Sequence, residues 1–406
     1  MKTLAISLHR LGDLIMHAYV LKSLKDEKGR SVNLLVHPFY NQIKFIFPFI
    51  SDVFIFEREY CQKSIGENLF NKNWPYQHIK NLVEKINSSQ FDQIVDLSQS
   101  DTSARWMSFL NAKQKIGVTY DPKLQNKIHC SDNQWIHYLH STSQSEIHFI
   151  DLFKKSLDLS LTILPPVSNK SLNSKLIIFQ TLTSDIKKNW PPQKWIQLFH
   201  KLLNSFPEFE FKILSSSNEF ALLKSTYSEF NGAIPIIVTN IEETFKVLQE
   251  SHLIVTLDTA IKHLASWAGV SIVELALGSS NPKETGAYQD GAIILKTQVP
   301  CSPCRHSNFC SQPSYLCHND LSVESVFAAI QLQLTLAREK KSIENSLEKY
   351  HLITEFIKMQ KNNNYLAPIH FVETSEEGWW SCNSISKYEK GDFYERRTKK
   401  SVEVDY

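Results

Sequence analysis

Four short segments of this 406-residue chain carry side chains at spacings suited to chemistry. The first is His9-Arg10-Leu11-Gly12-Asp13, which follows the strand-like run Leu4–Leu8 and opens an amphipathic stretch. Gly12 is read as allowing a sharp turn. Asp13 then sits at a helix start, where it either caps the helix or takes a proton from a bound hydroxyl. The second follows the run Leu176–Gln180: Thr181-Leu182-Thr183-Ser184-Asp185, then Lys188-Asn189-Trp190-Pro191. Hydroxyls and backbone N–H groups after a strand suit phosphate oxygens, and Lys188 would supply positive charge to a leaving diphosphate. The alternative is a solvated loop anchored by Trp190.

The third segment is Asp258-Thr259-Ala260-Ile261-Lys262-His263-Leu264-Ala265, after an apolar run. Asp258 or Thr259 can cap the helix, and His263 lies one turn inside, near an end that attracts anions. A capped helix with one partly buried His explains the same residues. The fourth is a cysteine cluster at Cys301, Cys304, Cys310 and Cys317. Its first pair has the spacing of half a tetrahedral thiolate site, and its second pair is looser. A structural zinc or iron and four reduced thiols both remain open. No base partner accompanies these cysteines, so a nucleophilic role is not indicated.

The elements that must position these segments alternate regularly. In the first half, strands are expected at Leu4–Leu8, Val32–Val36, Val53–Phe56, Gln93–Leu97 and Lys115–Val118, with helices at Asp13–Leu24, Tyr76–Ile86 and Ser103–Asn111. A Pro-, Ser- and Asn-rich stretch at Leu164–Lys170 reads as a linker. The alternation then restarts with strands at Leu176–Gln180, Glu210–Leu214, Ile234–Val238, Leu253–Leu257, Ser271–Leu275 and Ala292–Leu295. Helices are expected at Pro192–Leu203, Glu219–Tyr227, Ile241–Glu250 and Ala260–Ala268. The fold class is therefore α/β: two doubly wound, Rossmann-like domains, with ligand crevices at the carboxyl ends of the strands and a cleft between them. The domain reading is 1–165 and 174–320, a helical extension at 321–361 and a disordered tail at 362–406.

Composition narrows the function. Lys+Arg 44 against Asp+Glu 42 leaves a net charge of +2, which argues against a nucleic-acid partner. No run of 18 apolar residues and no signal-peptide pattern is present. The scattered cysteines are not a secreted disulfide framework, and a reducing cytoplasm fits them. A G-x-G-x-x-G fingerprint is missing after the first strand, which speaks against a nicotinamide-dependent oxidoreductase.

Taken in order, these motifs resemble glycosyltransferase family 9, the lipopolysaccharide heptosyltransferases. Arg10-Leu11-Gly12-Asp13 is similar to that family's R-x-G-D opening, and Lys188-Asn189-Trp190-Pro191 to its K-x-W-P. Asp96-Leu97, Thr102-Ser103-Ala104-Arg105 and Lys115-Ile116-Gly117-Val118 resemble its N-terminal pattern. Asp258–Ala265 is similar to D-T-G-x-x-H-L-A, with Ala260 in place of Gly, and the Cys spacing looks like the cluster of many members. The resemblance covers roughly residues 1 to 335. It implies a GT-B fold, with a central cleft between an acceptor-binding and a donor-binding domain. The implied chemistry is inverting, metal-independent transfer from an ADP-heptose-like nucleotide sugar, needing no cofactor. Asp13 would be the general base. Thr183, Ser184 and Lys188 would hold donor phosphates or sugar, Glu219 the nucleotide side, and Asp258, Thr259 and His263 the donor sugar and diphosphate. Asp-x-Asp, the divalent-ion pair of many nucleotide-sugar enzymes, is absent. The acceptor is expected to be a lipid-linked glycan, with peripheral contact at the inner membrane face. A protein acceptor and a catalytically degenerate nucleotide-sugar scaffold are the rival readings.

Overall fold

A computed structural model describes residues 1–66, 73–141, 145, 147–161, 174–289, 291–297, 299–305, 309–312, 314–338, 369–375 and 378–381. The first half runs β1 (Lys2–Ser7), α1 (Leu11–Asp26), β2 (Ser31–Val36), β3 (Val53–Ile55), α2 (Arg58–Gly66), α3 (Asn73–Ser88), β4 (Gln93–Asp96), α4 (Asp101–Phe109), β5 (Gln114–Ile116), β6 (Val118–Asp121), β7 (Asn126–His129), α5 (Gln134–Ser141) and α6 (Phe149–Ser156). The second continues with β8 (Leu176–Gln180), α7 (Pro192–Ser205), β9 (Glu210–Ser215), α8 (Phe220–Thr226), β10 (Ile236–Val238), α9 (Ile241–Glu250), β11 (Leu253–Leu257), α10 (Ala260–Ala268), β12 (Ser271–Ala276), α11 (Pro282–Thr285), β13 (Ala292–Lys296), α12 (Leu316–Asp320), α13 (Val323–Arg338), β14 (Ile369–Ser375) and β15 (Gly378–Ser381).

The first sheet has the order β3-β2-β1-β4-β5, all parallel. The second has β10-β9-β8-β11-β12-β13, also parallel, extended by β14 and β15 in antiparallel pairing. Both orders reverse beside their first strand, so each sheet has a switch point between neighbouring strands whose loops diverge. Strands covered on both faces read as continuous apolar runs. β11, Leu253-Ile254-Val255-Thr256-Leu257, is buried at every position.

Three large apolar clusters among the described residues hold the layers. One packs Leu4, Ile6, Leu35, Trp106 and Met107 on one face of the first sheet. Another packs Phe179, Trp190, Trp195 and Phe199 with Val326, Ala329 and Ile330 of α13, making the described part of the helical extension integral to the second sheet's core. The third is shared: Leu14, Tyr19 and Val20 of α1 join Ile178, Leu264 and Trp267 of the second half. Tyr19 meets Trp267 edge-on at 4.8 Å and Tyr288 at 5.0 Å. The helices following β1 and β11 are thereby locked together, and the loops that start them share one location.

The tail stretch 362–406, read from sequence as a disordered end, contributes β14 and β15 to the edge of the second sheet. The linker at 164–170 and the extension beyond 338 lie outside the described residues.

Candidate functional site

Each loop singled out from sequence leaves the carboxyl end of a parallel strand. After β1, Arg10 stands at the N-terminus of α1 and its backbone N–H donates to Asp13 Oδ2 at 3.1 Å. The capping reading of Asp13 is thus part of the truth, but one oxygen suffices for it. His9 Nδ1 lies 4.0 Å from the same carboxylate. Burial raises the Asp13 pKa above the usual carboxylate range, and the negative charge of Asp258 pushes the same way. Asp13 and Asp258 therefore sense each other, although they belong to different sheets.

Gly12 shows why they are near. The sequence suggested a turn-forming role, but Gly12 is inside α1 and is not among the positive-φ glycines. A Cβ there would stand 3.2 Å from His263 Cδ2 and 3.5 Å from the Ala260 Cα. Its small size serves close approach to the start of α10, with Ala260 itself on the facing side.

After β8, the chain folds a tight loop. Thr183 N–H donates to Asn189 Oδ1 at 2.7 Å, and the Thr183 hydroxyl donates to the Asp185 carbonyl at 2.7 Å. Asp185 in turn caps the short turn Ile186–Lys188 through the Lys187 N–H, 3.0 Å. Ser184 is exposed on this loop. Trp190 is buried, with its Nε1–H donating to the Leu321 carbonyl at 3.1 Å, so the Lys-Asn-Trp-Pro motif is anchored by its Trp. Lys188 reaches the third loop, where its Nζ donates to Asp258 Oδ2 at 2.6 Å.

After β11, Thr259 caps α10, its hydroxyl oxygen accepting the Ile261 N–H at 3.2 Å. Asp258 is free of that duty. Its Oδ1 accepts from Lys262 Nζ at 2.5 Å, and its Oδ2 from Lys188 and, at 3.0 Å, from the Ser280 hydroxyl. Burial alone would raise the Asp258 pKa, but the ammoniums of Lys262 and Lys188 hold it well below the usual carboxylate range. His263 is buried beside Gly12, and burial together with Lys262 keeps its imidazole neutral at physiological pH. After β9, Glu219 Oε2 accepts from the Ser216 N–H (3.1 Å) and hydroxyl (2.6 Å), closing the turn that begins α8.

The structure thus joins Asp13, Lys188, Asp258 and His263, with Thr183 and Thr259 shaping the loops that carry them. Sequence reasoning quoted His9 and Lys262 without giving them a role, read the run Leu277–Pro282 that holds Ser280 only as a loop that could line a crevice, and missed Glu274. The one available signal was a Glu inside the apolar strand β12, whose other members are Ser271, Ile272, Val273, Leu275 and Ala276.

Of the two readings left open for the cysteine cluster, a structural zinc or iron is not supported. Among the described residues, no group of three or more His, Cys, Asp or Glu side chains is placed to hold an ion. Cys301, Cys304, Cys310 and Cys317 are free thiols. Burial raises the pKa values of the Cys304 and Cys317 thiols. The Cys304 N–H is used by the fold, donating to the Gly278 carbonyl at 3.0 Å. The His318 ring likewise contacts the Lys187 carbonyl at 2.9 Å. The loop braces the Lys187–Lys188 turn from behind.

Two Rossmann-like halves whose strand-end loops converge define a GT-B glycosyltransferase fold. Solved structures share it. A glycosyl transferase family 9 protein from Veillonella parvula aligns with a TM-score of 0.61 at 15% identity, covering 82% of this chain and 97% of its own. E. coli heptosyltransferase WaaC with ADP aligns at 0.59 and 16% identity, covering 82% of this chain and 100% of its own. The model of glycosyltransferase family 9 (heptosyltransferase) matches residues 79–315, more than half of the chain, and the protein belongs to this family. Lipopolysaccharide heptosyltransferase 1 of Pseudomonas aeruginosa is 25% identical over 138 residues, 34% of this chain and 38% of the relative. That match spans well under half of the relative's length.

Proposed function

We propose that this chain is an inverting glycosyltransferase that moves a heptose from ADP-heptose to a lipopolysaccharide core or a related surface glycan, with no metal in the chemical step. Residues 1–165 would bind the acceptor and 174–320 the donor. The observation that carries the reading is the apposition of a carboxylate with a raised pKa, Asp13, and a cation–carboxylate pair, Lys188–Asp258, from opposite sheets. The structures that support an adenosine diphosphate donor are WaaC with ADP and the E. coli ADP-heptose lps heptosyltransferase II.

In this reading Asp13 accepts the proton of the acceptor hydroxyl as its oxygen attacks the anomeric carbon. The bond to the diphosphate breaks on the opposite face. The charge arriving on the leaving oxygen is met by Lys188 and by the α10 N-terminus. Thr183 and Ser184 line the phosphate path, Thr259 and His263 the donor sugar, and Glu219 the nucleoside. Acceptor delivery would occur at the cytoplasmic membrane face by peripheral contact. No helix among the described residues is long and apolar enough to cross a membrane.

Asp13→Asn tests the assignment. Turnover should fall by about 10²–10⁴, the usual worth of a general base, while ADP affinity stays within about twofold because the leaving-group contacts are untouched. In the wild type, turnover should fall as pH drops through the raised Asp13 pKa. Asp13→Asn turning over at the wild-type rate would remove Asp13 from the mechanism.

A further inference from the structure

We propose that Lys262 and Glu274 are positioning residues that hold Asp258, and through it Lys188, as a fixed cation for the leaving diphosphate. The proposal rests on the donor reading above and adds residues to it. Four side chains form one line of alternating charge. Lys188 Nζ lies 2.6 Å from Asp258 Oδ2, Lys262 Nζ 2.5 Å from Asp258 Oδ1 and 2.8 Å from Glu274 Oε1. Side-chain exposure falls along it, 15% for Lys188, 11% for Asp258, 1% for Lys262 and 0% for Glu274. The positive end is the accessible end. The buried end is itself fastened, because Glu274 Oε2 accepts the Ala287 N–H at 2.8 Å.

The placement follows from the elements. Asp258 directly follows β11 and Lys262 lies four residues on, in the first turn of α10, so the two side chains meet. β12 pairs in parallel with β11, and Glu274 stands beside Thr256 in that register. Lys262 fills one of the positions that the D-T-G-x-x-H-L-A pattern leaves open.

Stability alone is a weak reason for such an arrangement. Desolvating two charges offsets most of their attraction, and apolar residues of equal volume usually serve a core as well or better. A carboxylate that must aim a lysine is a stronger reason. Bound to Lys188 alone, Asp258 is free to rotate about its side-chain torsions. With Lys262 on Oδ1 and Ser280 and Lys188 on Oδ2, its plane is fixed, and Lys188 is held where phosphate oxygens would arrive. Lys262 remains protonated there. Burial opposes its charge, but Asp258 and Glu274 together raise its pKa.

The test uses the full-length chain. Lys262→Met alone strands the buried Glu274 carboxylate and takes one of two cations from Asp258, and is expected to unfold. The double variant K262M/E274Q removes one charge of each sign, keeps volume, and leaves an acceptor for the Ala287 N–H. Affinities for ADP and AMP are measured by calorimetry, and Lys188 reactivity by amine-specific labelling and mass spectrometry. A folded double variant should lose about tenfold or more in ADP affinity, the worth of one charge-assisted contact. AMP affinity should stay within about twofold, since it lacks the phosphate that Lys188 is proposed to meet. Lys188 should label faster. Unchanged ADP affinity with unchanged labelling overturns the proposal, and so does an equal loss for ADP and AMP. A wild type that binds none of ADP, UDP, GDP and CDP overturns the donor reading instead. Labelling of Lys188 then decides alone whether Lys262 and Glu274 position it, with an unaltered rate counting against them.

Discussion

Gly278→Ala is expected to damage stability and turnover together, because of where Gly278 lies. It follows β12 with φ +59°, the left-handed region, which costs a residue bearing a Cβ about 1–2 kcal/mol. An added Cβ would come within 2.7 Å of the Lys187 carbonyl carbon, and closer still to its oxygen. That neighbour is backbone, so a strand-end loop must move, at a further cost of about 1–3 kcal/mol. Gly278 O also receives the Cys304 N–H at 3.0 Å, which ties the cysteine loop to the same point. The sum is about 2–5 kcal/mol. With a urea dependence of roughly 2–3 kcal/mol per molar, the unfolding midpoint should fall by about 1–2 M. The displaced Lys187 carries Lys188 with it, and if Lys188 meets the leaving diphosphate as proposed, a shift near 1 Å there costs about 10²-fold in rate. Urea melts give the first quantity, and sugar transfer by the folded variant at low temperature gives the second. A variant with wild-type midpoint and turnover would show that the close approach of residues 187 and 278 is not maintained in solution. A lowered midpoint with undiminished turnover would separate the Lys188 turn from the chemistry.

Gly12→Ala should behave differently, since Gly12 has helical backbone and its would-be neighbour at 3.2 Å is a side-chain carbon of His263. Helix propensity favours the change by up to about 1 kcal/mol, so stability should move by less than that, while the α1–α10 spacing opens and turnover drops about tenfold. A fully active Gly12→Ala enzyme would argue that this contact does not set the catalytic distance. Asp151 predicts a pH dependence. Burial pushes its carboxyl up to about 7, against the opposing hydrogen bond from Tyr288. The folded state thus keeps a proton that the unfolded state loses near about 4, and stability from this group declines as pH rises between the two values. Urea midpoints at pH 5 and pH 8 should converge in Asp151→Asn relative to wild type; equal pH slopes in both proteins would contradict the assignment.

The parts of the fold that were legible in the sequence share a physical cause. Strands buried on both faces are largely apolar, so Leu176–Gln180 and Leu253–Leu257 could be read to the residue, and helix α9 was read at Ile241–Glu250. The β6–β7 hairpin escaped because its four-residue strands are largely solvated, with Asn126 and Ile128 exposed and no apolar run to mark them. Helices α5 and α6 are eight residues each, too short for periodicity to stand out. The loops of the candidate site stood out in the sequence because their chemistry is local: hydroxyls, a Lys and a helix cap within a few residues of a strand end.

What stayed hidden is the part of the site built by tertiary pairing. Lys262 in isolation looks like a solvated helix residue, and Glu274 contradicts the apolar strand around it. Each makes sense only when β11 and β12 lie side by side and bring Thr256 next to Glu274. Gly12 was misassigned for the same reason. A turn is a local property that a sequence can advertise, whereas the approach of α10 to α1 depends on two sheets meeting. The mistake is informative about mechanism. If Gly12 were needed for a turn, the distance between Asp13 and Asp258 would be set within one loop. Because it is needed for contact with Ala260 and His263, that distance is set by the packing of the two halves.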